Sequence, residues 1–363
     1  MADISAHNIE EDLAGQVQAA AAVGSAVRIV GNDSKAFYGQ IVDAGLLSAG
    51  LHRGVIDYDP AELVITLRGG CRVDEVVALL RENGQMFAFD PPDFDVRATI
   101  GGMVASGLAG PRRAYAGAMR DFVLGVRMID GRGVVQNFGG RVIKNVAGFD
   151  VARLMVGALG TLGVLLEVSI RVVPTPETEL TLSFEHPDPD THIRWINNIA
   201  GKPLPLSASM WCDGISYIRL SGSEQGVGQA ARDLGGDLAG NPGSDVAGDL
   251  WRQLAEQQHA FFSCSEPLTR VALPPTTNHL GGENAPLIEW GGAQRWYRGE
   301  VDLAGLRGQA EARGGSVCAY RNHPAHRSVF HPLPQAVLKL QRHIKSSFDP
   351  AGIFNPGRMY PEL

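Results

Sequence analysis

The chain has 363 residues, 44% of them hydrophobic and 20% charged, with a formal net charge of −7. Such a length accommodates about two domains of ~150 residues each, and the composition is that of an ordinary globular protein. The acidic balance argues against a nucleic-acid partner, which calls for a basic surplus, but leaves room for one small anionic ligand held by a few arginines.

The N-terminal residues carry neither a basic stretch nor an apolar core of the secretory kind, so a cytoplasmic chain is expected. Ile9, Leu13, Val17, Ala20 and Ala21 recur at helical spacing and predict a first helix. A short apolar strand, Val27 to Val30, then runs into the polar turn Gly31-Asn32-Asp33-Ser34-Lys35. Val55–Tyr58 and Leu63–Leu67 read as strands around an Asp59-Pro60 turn, and Val73–Asn83 reads as a helix stopped by Gly84. Val123–Ile129 and Val134–Phe138 flank Asp130-Gly131-Arg132-Gly133, a hairpin signal. The longest apolar run, Leu154–Leu166, holds three glycines and a threonine. It falls short of the ~20 residues that span a bilayer, so no direct membrane insertion is expected.

Val164–Val173 is strand-like and ends at Pro174-Thr175-Pro176, which sets the predicted domain boundary. Beyond it, strands are expected at Leu180–Phe184, Ser207–Trp211 and Ile215–Leu220, with helices at Asp190–Ala200 and Glu224–Leu234. Gly235–Gly248 reads as an exposed loop, and Pro334–Ser347 as a last amphipathic helix before the turn Asn355-Pro356-Gly357. Cys71, Cys212, Cys264 and Cys318 are scattered without a C-x-x-C pair. An iron–sulfur site needs closely spaced thiolates, so any cluster is expected on another chain.

Three glycine clusters carry the chemistry. The first is the turn Gly31–Lys35, which offers amides and the Ser34 hydroxyl. The second runs from Thr99 through Gly101, Gly102, Ser106 and Gly107 to Gly110, followed by Arg112, Arg113, Arg120 and Asp121. Glycine lets a backbone amide approach a phosphate or ring closely, successive amides form anion-binding concavities, and a helix starting at Gly102 would add its positive end. Tight helix packing explains the same residues equally well. The third cluster, Gly157 to Gly163, precedes a strand and lacks the Rossmann spacing. Arginines among small residues suit a phosphate or carboxylate, with Asp121 placed to pair with one of them. In the second half, Trp290-Gly291-Gly292 with Arg295-Trp296 suits a carboxylate site, a partner surface or plain core, and His331 is a candidate general base. A non-flavin nucleotide module also fits the glycine clusters alone.

With Pro91-Pro92 upstream of the middle cluster, this order of motifs resembles the FAD-binding domain of the vanillyl-alcohol oxidase / p-cresol methylhydroxylase (PCMH) group. Gly84-Gln85-Met86, Gly101-Gly102-Met103-Val104-Ala105, Gly110-Pro111-Arg112-Arg113, Arg120-Asp121-Phe122-Val123-Leu124-Gly125, Lys144–Asp150, Phe330–Pro334 and Phe348–Tyr360 are similar to the FAD-binding E subunits of bacterial glycolate oxidases. The resemblance is dense over Val27–Pro174 and from Leu287 onwards, and thin between.

The resemblance implies an α+β chain: a two-subdomain PCMH-type FAD-binding domain over 1–175, an α+β cap domain over 176–333, and a C-terminal helix and turn, 334–363, returning to the first domain. Cofactor contacts are expected from Gly31, Asn32, Asp33, Ser34 and Lys35 at the diphosphate. Pro91, Pro92, Thr99, Gly101 and Gly102 would line the rest of the dinucleotide. Ser106, Gly107, Gly110, Arg113 and Asp121 would run beside the flavin ring, Gly160, Gly163 and Val164 along the adenosine, and Asn355 on the flavin side. Arg113, Arg120, Arg295 and His331 are the candidates for handling a small 2-hydroxy acid such as glycolate. Covalent relatives place a histidine in the first loop; Asn32 stands there, so noncovalent FAD is expected. The metal-binding His-x-His pair of the D-hydroxy-acid dehydrogenases is missing, so no metal is assigned. The implied partners are a homologous FAD-binding catalytic subunit and an iron–sulfur subunit.

Overall fold

The computed structural model describes residues 6–94, 98–140, 150–239, 245–282, 285–324 and 328–363, with backbone alone for 245–249. The helices are α1 (Glu10–Val23), α2 (Val73–Glu82), α3 (Ile100–Ser106), α4 (Arg113–Ala116), α5 (Val151–Leu154), α6 (Pro189–Ala200), α7 (Glu224–Leu234), α8 (Asp245–Ala255), α9 (Leu303–Glu311) and α10 (Gln335–Phe348). The fold is α+β, and the chain divides into two units. One holds Met1–Leu108, Ala118–Thr175 and Pro332–Leu363, and the other holds Ala109–Gly117 and Pro176–His331. The division thus falls after Thr175, but the strap Ala109–Gly117 goes with the second unit, a correction to the boundary read from the sequence.

The strands of the first unit are β1 (Val27–Val30), β2 (Gly45–Ser48), β3 (Val55–Asp59), β4 (Val64–Arg68), β5 (Gln85–Met86), β6 (Val123–Ile129), β7 (Val135–Gly139), β8 (Val164–Arg171) and β9 (Val173–Pro174). A five-stranded antiparallel sheet has the order β3-β4-β8-β6-β7. The central strand β8 is buried at six of its eight positions, all but Glu167 and Arg171. The β6–β7 turn is tied by Asp130, nearly fully buried, whose carboxylate accepts the amides of Arg132 (2.9 Å) and Val134 (3.0 Å). Strands β1 and β2 form a separate parallel pair, and Phe354 lies beside Val27 on β1. Helix α1 presents Leu13 and Val17 to one side and starts with Glu10, Glu11 and Asp12 at its positive end. Those two side chains share a core with Leu47, Ile129, Val164, Leu166, Ile353 and Phe354. Helix α1 and the segment Ile353-Phe354 are therefore packed into one apolar cluster.

The second unit adds β10 (Thr178–Glu185), β11 (Leu206–Cys212), β12 (Ile215–Gly222), β13 (Asp237–Leu238), β14 (Leu268–Ala272), β15 (Leu287–Glu289), β16 (Gln294–Arg298) and β17 (Ser316–Arg321). They make one antiparallel sheet in the order β13-β10-β12-β11-β15-β16-β14-β17. Ile196 and Ile199 of α6 and Val227 of α7 pack on Leu182, Ile218 and Leu220, while Ala310 of α9 packs on Val271, Tyr297 and Val317. The expected exposed loop at Gly235–Gly248 is corrected: Gly235 (φ +67°) and Gly236 (φ +90°) turn the chain into β13, and α8 starts at Asp245. A two-residue edge strand in a polar stretch has no alternation to read. The motif Lys144–Phe149 lies outside the described residues.

Glu289 tests the interior of this second sheet. It is almost wholly enclosed, and its Oε2 accepts Trp296 Nε1 (2.6 Å) and Gln294 Nε2 (3.0 Å). Burial pushes its carboxyl from the ordinary 4.5 up to about 7, against the pull of those two bonds. The folded chain therefore keeps a proton that the unfolded chain gives up. The contribution is full below the unfolded value and is lost as pH rises through the folded one. Glu289→Gln is expected to gain stability relative to the parent between pH 5 and pH 8. Thermal melts at both pH values check this, and a difference independent of pH would refute it.

Candidate functional site

The first unit contains an open cleft, walled by three loops that the sheet architecture brings together. The first wall is the end of β1 and the turn Gly31–Lys35. Arg28 grips Asp33 with two bonds (3.0 and 2.9 Å), fixing a turn in which Asp33 itself has φ +57°. The amides of Gly31, Asp33 and Ser34 make no backbone hydrogen bond among the described residues, which leaves them to a ligand or water.

The second wall is the start of α3. Thr99, not a glycine, is its N-cap: Oγ1 accepts the Gly102 amide (3.1 Å), and the helix begins at Ile100. The helix start expected at Gly102 moves two residues upstream for that reason, and the Gly102 amide is already engaged. Gly31 sits so close to this cap that a Cβ would overlap the Thr99 hydroxyl. The Gly101 amide bonds Gly69 O (2.7 Å) and thereby ties α3 to the end of β4.

The third wall is the segment from Ala158 to Leu165. Its start docks on the C-terminal carbonyls of α3, through Gly157 N to Val104 O (3.0 Å) and Leu159 N to Ala105 O (2.8 Å). Asn355 closes the cleft from the far end of the chain. Its buried side chain accepts the Ile29 amide (2.8 Å) and donates to Leu159 O (2.6 Å), joining first and third walls.

Arg28, Lys35 and Arg358 line this cleft against a single carboxylate, Asp33. A surplus of cations in a chain of net charge −7 marks the cleft as an anion site. Lys35 Nζ also stands 5.4 Å above the Phe94 ring, just beyond Pro91-Pro92.

Of the residues expected at the cofactor, the structure brings together Gly31, Asn32, Asp33, Ser34, Lys35, Thr99, Gly101, Gly102, Ser106, Gly160, Gly163, Val164 and Asn355. Pro91, Pro92 and Gly107 are not in the lining. Gly107 (φ +62°) ends α3, where a Cβ would come within 3.2 Å of Gly157. Asp121 is exposed and caps the amide of Ala118 (2.9 Å), and Arg120 beside it is exposed. Gly110 and Arg113 belong to the second unit. There Gly110 O accepts Trp290 Nε1 (3.1 Å), and the Arg113 guanidinium lies 4.4 Å from the Trp290 ring centre. Arg295, proposed for a carboxylate, is fully buried, and its fork is spent on the carbonyls of Gly292, Asn278 and Thr277. His331 Nδ1 accepts the Val317 amide (3.3 Å), a structural bond at β17. Arg28, Gly69, Ala105, Met155 and Arg358 line the cleft without having been named as site residues, although Ala105 and Arg358 fall within segments that carry the resemblance. Only Gly69-Gly70 at a strand end carried a local signal.

Residues 6–139 match the FAD binding domain family. Over 92% of its length the chain is 43% identical to the glycolate oxidase subunit GlcE of Escherichia coli K12, covering 93% of that protein. The chain belongs to the glycolate oxidase subunit GlcE family. It is also 32% identical to a D-lactate dehydrogenase of Archaeoglobus fulgidus, over 76% of this chain and 73% of that one. Among solved structures, 4-ethylphenol oxidase from Gulosibacter chungangensis in its isoeugenol complex superposes with a TM-score of 0.70 at 13% identity, covering 97% of this chain and 88% of that one. The fold is therefore the PCMH-type FAD-binding domain with an α+β cap, and the cofactor is FAD. The residues present fit it: a cleft with a cationic surplus and walls of glycine suits a dinucleotide diphosphate.

Gly102→Val is expected to fold and to lose FAD. A Cβ there meets only Thr99 Oγ1, at 3.2 Å, so the two methyls would project into the cleft, while valine costs under ~1 kcal/mol in a helix. Circular dichroism and flavin content of the purified variant check both halves. A full complement of FAD would show that Gly102 serves packing alone.

Proposed function

We propose that this chain is the FAD-bearing subunit of a heteromeric complex that oxidises glycolate to glyoxylate, and that it holds FAD without a covalent bond. The observation that carries this reading is the cleft of the first unit, cationic within an acidic chain and assembled from the segments that resemble the family. When bound, FAD would supply two-electron redox chemistry. The chain's own part is to bind and orient it. Arg28, Lys35 and Arg358 match the anionic diphosphate, the glycines admit close approach, and Asn355 keeps the first and third walls together. Asn32 supplies no nucleophile for a covalent link, and Cys71 is buried beside Gly54. Acid precipitation should therefore release all yellow colour into the supernatant; colour held in the pellet would disprove the noncovalent state.

The division of labour follows from the cations. Oxidising a 2-hydroxy acid calls for a cation at the carboxylate and a group that polarises the hydroxyl. Arg295 and His331 are committed to backbone partners, and the chain has no His-x-His pair. Arg113 and Arg120 remain as candidates for the carboxylate. We assign the hydride step to a homologous flavoprotein subunit. The glycolate oxidase subunit GlcD of Bacillus subtilis, 31% identical over 42% of this chain and 33% of its own length, has the required kinship. An iron–sulfur chain would carry electrons onward, and no helix among the described residues is long and apolar enough to cross a membrane. Anaerobic glycolate should bleach the flavin of the isolated chain slowly or not at all, and rapidly once that subunit is added. Fast single-turnover bleaching by the chain alone would make this subunit the dehydrogenase itself.

A further inference from the structure

We infer that Arg358 is a positioning residue for the first cofactor loop, holding Gly31–Lys35 in the shape that receives the diphosphate of FAD. The inference rests on the FAD reading above. Arg358 follows the turn Asn355–Gly357, more than three hundred positions from the loop it serves. Its fork spans three carbonyls: Nη1 donates to Gln40 O (2.9 Å), and Nη2 donates to Lys35 O (3.2 Å) and Ala36 O (3.1 Å). The Gln40 amide returns a bond to Arg358 O (2.8 Å). Backbone and side chain thus hold the same six residues.

Residues 35–40 lie in neither helix nor strand; among the described residues their backbone makes two turn contacts, Ala36 N to Asp33 O (3.1 Å) and Tyr38 N to Lys35 O (3.0 Å), and the Phe37 and Lys35 side chains meet the Phe94 ring. Gly39, at φ +102°, lies against the arginine: a Cβ there would come within 2.9 Å of Arg358 O and 3.1 Å of Nε. The loop is shaped to receive a guanidinium.

The charge matters as well as the fork. Arg358 spends its donors on neutral carbonyls, which stabilise the cation without cancelling it. The acid that acts on it is Asp33, already held by two bonds from Arg28. The positive charge therefore persists at the cleft. A lysine would keep that charge but could not span three carbonyls, because its ammonium is a single point on a flexible stem. Without the fork, the three carbonyls lose their common partner, so part of the loop's ordering falls on FAD binding and the affinity falls by that cost.

The test compares wild type, Arg358→Ala and Arg358→Lys, reading FAD affinity by flavin fluorescence, the FAD dissociation rate, and the melting temperature of each chain after flavin removal. Losing charge-assisted bonds predicts affinity about 10- to 100-fold weaker in Arg358→Ala. The flavin-free melting temperature should stay close to wild type, a weaker but clear loss should appear in Arg358→Lys, and added methylguanidinium should partly restore Arg358→Ala. A purely structural role would lower the flavin-free melting temperature and leave the affinity of the folded fraction intact, and that result would overturn the inference. So would FAD binding by Arg358→Lys equal to wild type, which would show that charge alone acts. If Arg358→Ala does not fold, the lysine variant decides by the same criterion. Wild type without FAD would instead defeat the cofactor reading, an outcome distinct from variants that hold FAD as tightly as their parent.

Discussion

The cofactor cleft depends on a buried clasp at the C-terminal end of α10. Lys345 Nζ donates to Asp349 Oδ2 (2.8 Å), Thr161 O (2.9 Å) and Phe354 O (2.6 Å), so each of its three protons has a partner. Asp349 in turn accepts the amides of Ile353 (3.1 Å) and Phe354 (2.7 Å). Burial lowers the ammonium pKa and the bond to Asp349 opposes that fall. A buried pair of this kind adds little net stability over apolar side chains, but removing one member leaves an uncompensated charge. What the pair specifies is geometry. It ties α10, the third wall of the cleft and the turn that delivers Asn355 into one body. The core contacts of Ile353 and Phe354 with Leu13 and Val17 then anchor that body to α1.

Around this clasp the cleft is a problem of backbone approach. At Gly69 a Cβ would stand 2.5 Å from Leu165 O, and at Gly70 it would stand 2.6 Å from Gly50 O. At Gly160, with φ +72°, it would meet Asn355 Nδ2 at 2.7 Å. These glycines are needed less by the ligand than by the walls, which approach one another too closely for side chains. The rival readings of the glycine clusters, packing and binding, are thus not alternatives here. Close packing of three loops is what forms the cleft.

Much of this was legible from local pattern. Strands β1, β3, β4, β6, β7 and β8, helices α1 and α2, the hairpin at Asp130–Gly133 and the three glycine clusters announce themselves within windows of a few residues, whereas β2, α4 and α5 do not. What escaped was settled by distant partners. Nothing near Arg358 says that it faces the carbonyls of residues 35–40, more than three hundred positions away. Arg295 misled for the converse reason: three carbonyls converge on it, and a sequence gives no sign of that. Strands β14 to β17 are short, and the β14–β17 ladder shifts register at Leu268/Thr269, which blurs the alternation that would have marked them. The aromatic corner at Trp290 shows a further limit. Trp290 sits at φ +56° and Gly291 at φ +65°, a costly conformation for a bulky residue that only its surroundings can impose.

Those surroundings include the strap Ala109–Gly117, which belongs to the second unit though its neighbours in sequence belong to the first. Gly110 accepts the Trp290 indole, Arg112 pairs with Glu179 (2.5 Å), and Tyr115 meets Ser209 (2.9 Å), whose hydroxyl also accepts the Gly291 amide (2.9 Å). The second unit is therefore written in two separated pieces of the gene. Exchanging residues 176–331 between relatives would leave a foreign strap against the new Trp290 corner. Recombination within such a family is constrained by nine residues far upstream, and a chimaera that respects the apparent boundary at Pro176 would still cut through one folded body.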